Sequence, residues 1–142
     1  MKTNKLTVGQ FYTLSFTWGI IMSLVGCLVT VVLLVAGYRP KRNLYSWYFE
    51  IGENWGGLEL GCMCLVSKNP SEYILNHEFG HQIQNCYYGP GMICISIASA
   101  IRYWHREYLV KVKKKSYSDL PDYDSIWFEG DATAIGTFYR NN

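Results

Sequence analysis

From Phe11 to Tyr38 the chain carries no charged residue, and residues 16–38 form one run dominated by Ile, Leu, Val, Gly, Phe and Trp. About 20 apolar residues span a bilayer as a helix. Trp18 and Tyr38 lie near the two ends of the run, as interfacial aromatics do, and Arg39-Pro40-Lys41-Arg42 stops it with positive charge. The pattern predicts a tail over 1–15, a transmembrane helix over 16–38 and a single domain over 39–142. A signal peptide fits less well, because its apolar region is shorter and no small-x-small cleavage site follows. A core helix this long would be hard to bury in a domain of about 100 residues.

Beyond residue 39 the pattern changes. Asn43 to Glu50 is aromatic and extended in character, Asn54-Trp55-Gly56-Gly57 signals a turn, and Leu58 to Val66 reads as a strand. Asn69-Pro70-Ser71-Glu72 then starts a helix: Asn as cap, Pro at the first position, Glu completing a capping box. Gly89-Pro90-Gly91 stops it. Leu75, Phe79, Ile83 and Cys86 fall in one arc, with His77 and His81 roughly opposite. Gly91 to Ile101 is apolar but about half the length of a span. A buried helix is the first expectation there; an interfacial or re-entrant segment is the second. Arg102 to Val110 continues it as an aromatic amphipathic helix, and Lys111 to Pro121 forms a loop. A last helix starts just after Pro121, capped by Asp122 or Asp124. The expected class is α+β: an N-terminal transmembrane helix, then a small, mostly helical domain with a short β element before the first helix of that domain.

That helix carries His77-Glu78-Phe79-Gly80-His81, which reads H-E-x-x-H. Histidines four apart project from one face, one turn apart, so both imidazoles can reach one Zn²⁺. The glutamate between them lies beside the metal, where it can take a proton from a zinc-bound water. A single helical histidine is usually a surface or satisfied core residue. Two of the chain's three histidines with a glutamate at this spacing point instead to metal. Zinc needs a third protein ligand. On the last helix Glu129, Ala132, Thr133 and Gly136 share a face, and the small residues allow a close approach to the histidine helix. His105 is the rival ligand.

With these residues the chain resembles the gluzincin-type zinc metallopeptidases, whose pattern is H-E-x-x-H followed by a glutamate ligand on a later helix. The resemblance is nearest to small membrane-associated members, which often read F-E-x-x-A-D-x-x-A where this chain reads Phe128-Glu129-Gly130-Asp131-Ala132-Thr133-Ala134. It covers about the last two-thirds of the chain, through two short motifs. It implies a zincin-like domain, Zn²⁺ on His77, His81 and Glu129, Glu78 as general base, and a peptide or protein substrate, including membrane-associated ones. The family often places an aspartate four residues after the ligand glutamate, to orient a histidine. Here Thr133 stands there. Thr133 can accept from an imidazole N–H; Asp122 is the alternative partner, while Asp131 should point elsewhere. Candidate donors to a developing oxyanion are His105, Tyr103 and Tyr139.

Composition adds little. Net charge is only +2, and the one basic run, Lys111 with Lys113 to Lys115, reads as a solvated helix end or a contact with anionic lipid. No nucleic-acid partner is expected. The five cysteines include no C-x-x-C pair, so a second structural zinc site is not expected, and the thiols read as reduced and mostly buried. Cys62 and Cys64 would point to one face of a strand. Positive charge after the apolar run favours a single-pass protein with its catalytic domain on the cytoplasmic side. The competing expectation is a catalytically inactive zinc-binding membrane protein, in which metal ties two helices together.

Overall fold

The computed structural model describes residues 4–142. Among these, five α-helices and one four-stranded sheet make a mixed α+β fold. The order is α1 (Val8–Ser15), α2 (Ile20–Val35), β1 (Lys41–Asn43), β2 (Ser46–Glu50), β3 (Gly57–Leu60), β4 (Met63–Val66), α3 (Glu72–Tyr88), α4 (Met92–Lys111) and α5 (Trp127–Asn141).

The continuous helix expected over 16–38 is not formed. Thr7 and Gln10 build a capping box that starts α1, and the chain then bends by 95° before α2. The corner is pinned by the end of α3: the Trp18 indole donates to the Tyr87 carbonyl at 3.1 Å, and Asn85 donates to the Gly19 carbonyl at 3.2 Å. A Cβ at Gly19 would overlap the Asn85 side chain. The 16 residues of α2 reach about 24 Å, short of a hydrocarbon core of about 30 Å. Among the described residues no single helix is long and apolar enough to cross a membrane; α1 and α2 together pass on length and composition but are bent.

The sheet runs β1-β2-β4-β3, with β2 and β4 parallel and the other pairs antiparallel. The single strand expected over 58–66 is a hairpin, because Gly61 turns the chain at φ +68°, a conformation glycine adopts without strain. Gly61 also lies against the backbone of Ser23, where no side chain would fit. Side chains then alternate between two faces. Trp47, Phe49, Met63 and Leu65 meet α2, while Tyr48, Cys64 and Val66 meet α3. Cys62 therefore packs on the α2 side and Cys64 on the α3 side, rather than both on one face.

α3 is the central helix. Its cap is Ser71, whose hydroxyl accepts from Ile74 N–H, and not Asn69, which sits at φ +54°. Every residue from Asn76 to Cys86 is buried, so the histidine face is largely covered as well as the apolar one. Phe79, Ile83 and Cys86 pack with Phe11 and Tyr139, while Leu75 packs on the sheet. α5 covers the rest at very short range. A Cβ at Gly80 would overlap the Ala132 carbonyl, and one at Gly136 would overlap the Asn76 carbonyl. Two glycines thus let two helix backbones touch. α5 begins at Trp127, with no side-chain cap, and 3-10 turn Tyr123–Ser125 fills the space after Pro121. α4 is one helix of 20 residues in which only Met92 is buried, so residues 91–101 are not the buried helix expected.

Candidate metal centre

α3 and α5 bring His77, His81 and Glu129 to one point. Nε2 of His77 lies 3.0 Å and Nε2 of His81 3.1 Å from the same Glu129 oxygen, Oε2, and the two nitrogens are 3.2 Å apart. Ligands held tetrahedrally at 2.0–2.1 Å would be about 3.3–3.4 Å apart, so the triangle is close to the edge of such a site. All three side chains are buried, Glu129 completely. Among the described residues this is the group whose donor atoms could hold a metal ion.

Each ligand is oriented from behind. Nδ1 of His77 lies 2.8 Å from Thr133 Oγ1, which donates onward to Asp124 Oδ2 at 2.9 Å; Tyr73 donates to the same oxygen at 2.8 Å. Nδ1 of His81 lies 2.8 Å from Gln84 Oε1, and Gln84 donates to the Phe128 carbonyl at 2.8 Å. With Nδ1 occupied, each ring presents Nε2 to the shared point. Ser99 of α4 donates to Glu129 Oε1 at 2.5 Å, turning the other oxygen toward the histidines. Burial opposes charge on His81, yet the hydrogen bond to Glu129 and the nearby carboxylates outweigh it and push the imidazole up to about 9. Burial likewise raises Glu129, but its bonds to His77 and His81 win and hold it well below the usual carboxylate range.

Glu78 does not join the cluster. It points to β3, where a Cβ at Gly57 would lie 2.5 Å from Glu78 Oε1. Burial raises its pKa, against the pull of His81 and His77. A cavity of about 460 Å³ opens beside it, lined by both histidines, Glu78, Glu59, Tyr103 and Tyr123 among others.

Of the predicted residues, Thr133 stands where expected and Tyr103 lines the cavity. The remaining candidate partners and oxyanion donors lie away from the cluster, Asp131 as its place on the helix implies. Asp131 is exposed and lines a different pocket with Tyr88. Asp122 is exposed and offers Arg102 only its backbone carbonyl, because the helix that would have aimed it starts later. His105 is exposed on α4. Tyr139 is in the core, its hydroxyl accepting from Leu6 N–H at 2.7 Å. Sequence reasoning missed Gln84, Asp124, Ser99 and Tyr123. Gln84 was within reach, being three residues past His81 on the same helix face.

Removing the Thr133 hydroxyl breaks the link from His77 to Asp124. Thr133→Val is expected to weaken metal affinity about 10–100-fold, with Thr133→Ser close to wild type. A competition titration against a chromophoric chelator measures this; equal affinity for Val and Ser would remove Thr133 from the site.

Glu59 of β3 is also buried, with Oε1 accepting from Gly61 N–H and Oε2 unpartnered. Burial pushes its pKa up to about 7, against the Gly61 bond. A raised carboxyl pKa means that the folded state holds its proton more tightly than the unfolded chain does. Stability is therefore fully present below about pH 4.5 and is lost as pH rises toward 7, by on the order of 3 kcal/mol. Glu59→Gln is expected to melt higher than wild type at pH 8, with the gap closing by pH 5. Melting curves that run parallel at both pH values would contradict this.

Fold and site together define a small α+β protein with a buried His-His-Glu centre able to hold a metal ion. No family model, no curated protein and no solved structure matches the chain.

Proposed function

We propose that this protein is a membrane-associated zinc metallopeptidase. The observation that carries the reading is Glu78: a buried carboxylate of raised pKa, next in sequence to one ligand, facing a cavity and bonded to none of the cluster. A metal site with only a structural role has no use for it. Three protein ligands, rather than a closed set of four, also favour a centre with an open position.

His77, His81 and Glu129 would hold the ion. Zinc bound there would supply Lewis acidity and would make a nearby water easier to deprotonate. Glu78 takes the proton of the attacking water and returns it to the leaving amine. Tyr123, which lines the same cavity as Tyr103, is a candidate donor for the developing oxyanion. Its ring stands 6.0 Å from that of His77, and burial keeps its hydroxyl protonated, up to about 12. Edge strand β3 offers an extended peptide free main-chain groups beside Glu78. Membrane association rests on the apolar outer face of α2, and the basic residues after it favour a cytoplasmic site.

The test is zinc content of the purified full chain and of Glu129→Ala, with a generic peptidase assay on both. One zinc per chain with peptide cleavage, both lost in the variant, is the expected result. Stoichiometric zinc without cleavage of any peptide would leave a metal-binding membrane protein instead.

A further inference from the structure

α4 is inside out. Ile97, Ile101, Trp104 and Tyr108, with Val112 just past the helix end, recur every three or four residues and form one exposed stripe, with Trp104 69% and Ile101 64% exposed. The opposite face carries the polar side chains that do the bonding, beside Met92 and Ile95. Ser99 donates to Glu129, Arg102 to the Asp122 and Tyr123 carbonyls, and Arg106 to the Pro121 carbonyl. A helix on a water-soluble protein does the reverse, burying its apolar face.

α2 shares the exposed apolar face, although Met22, Val29 and Leu33 also pack on the sheet. Ser23, Gly26, Cys27 and Thr30 face the sheet: Gly26 lies against the Leu60 carbonyl, Cys27 Sγ is 3.9 Å from Cys62 Sγ, and Thr30 accepts from Trp47 at 3.1 Å. Leu24, Leu28, Val31 and Val35 point out, Val35 being 85% exposed. The two helices start from one corner, where Trp18 packs on Gly89. Each then runs through the same order of side chains. α2 is aliphatic on its outer face, then come Tyr38 and Arg39, Lys41 and Arg42; the exposed stripe of α4 is aliphatic to Ile101, then Trp104 and Tyr108, and Lys111 and Lys113 to Lys115 follow. Aliphatic, aromatic, basic is the order met on leaving a bilayer through an anionic surface.

We propose that α4 docks in the interface of an anionic lipid bilayer, its stripe in the acyl region and its terminal lysines among the headgroups. Trp104 also lines the cavity that His77 and His81 face, so docking sets the cavity mouth at the membrane surface. That polypeptide at this surface is the substrate rests on the hydrolase reading; the docking does not.

The experiment uses the full chain with vesicles of phosphatidylcholine and phosphatidylserine carrying brominated acyl chains. Comparing wild type with Trp104→Phe isolates the emission of Trp104 from that of the other tryptophans. The Trp104 component is expected to be quenched by the brominated lipid and shielded from aqueous acrylamide. Substituting Lys113, Lys114 and Lys115 together with Gln is expected to reduce that quenching several-fold, and vesicles of phosphatidylcholine alone should do the same. A Trp104 component that acrylamide quenches and brominated lipid does not would overturn the proposal. So would one shielded without vesicles in a cross-linkable dimer, which would assign the stripe to a second copy. Neither readout depends on turnover.

Discussion

Glu78→Gln is expected to keep one zinc per chain and to lower peptide hydrolysis by about 10³-fold, the size of effect a positioned general base supplies. The substitution keeps the shape of the side chain, so the tight fit against Gly57 survives. It removes the only property the mechanism needs, the capacity to accept a proton. His77, His81 and Glu129 keep their distances, because Glu78 bonds to none of them. The same change removes a buried carboxylate of raised pKa, so stability should hold or rise above neutral pH. Zinc content by elemental analysis and initial rates on a peptide substrate are the measurements. A variant that retains a tenth of wild-type activity would remove Glu78 from the mechanism.

Gly80→Ala should be strongly destabilising, although it adds a single methyl group. At an ordinary helix-interior position the change would stabilise by about 1 kcal/mol. Here the new Cβ meets the carbonyl of Ala132, which is backbone and cannot rotate away. α3 and α5 must separate, at a cost of about 3 kcal/mol or more. Glu129 stands on α5 three residues before Ala132, so the separation draws its carboxylate from the histidines, and zinc should be lost with it. Gly91→Ala is the control. A Cβ there meets nothing within 4 Å, and a change within about 0.5 kcal/mol is expected. Denaturant unfolding of the three proteins, with zinc content, decides the matter. Gly80→Ala folding as stably as wild type with its zinc retained would mean that the helices are not in backbone contact.

What could be read beforehand was whatever lies within one helix. His77 and His81 share a face by the period of the helix alone, and the small residues at Ala132 and Gly136 announced a close helix contact. Caps and strands were read less well. Asn69 and Ser71 both suit a cap, and only the chain path put Asn69 at positive φ. Leu58 to Val66 has the composition of one strand, and a single glycine folds it into two. The apolar run over 16–38 had the length of a span, but its break depends on Asn85 and Tyr87, some 65 residues away. Thr133 as a partner for His77 follows from the helix period, but the alternative, Asp122, presumes that the helix already runs there. The 3-10 turn instead brings Asp124 to Thr133.

By itself the sequence determined the donor types, their spacing on α3 and the α+β class, since periodicity and side-chain chemistry are local. Only the tertiary structure decided which carboxylate completes the cluster's surroundings, which tyrosine reaches the cavity and which face of α4 points outward. Those choices depend on how closely two backbones approach, and that distance is set by the volume of side chains far apart in the chain.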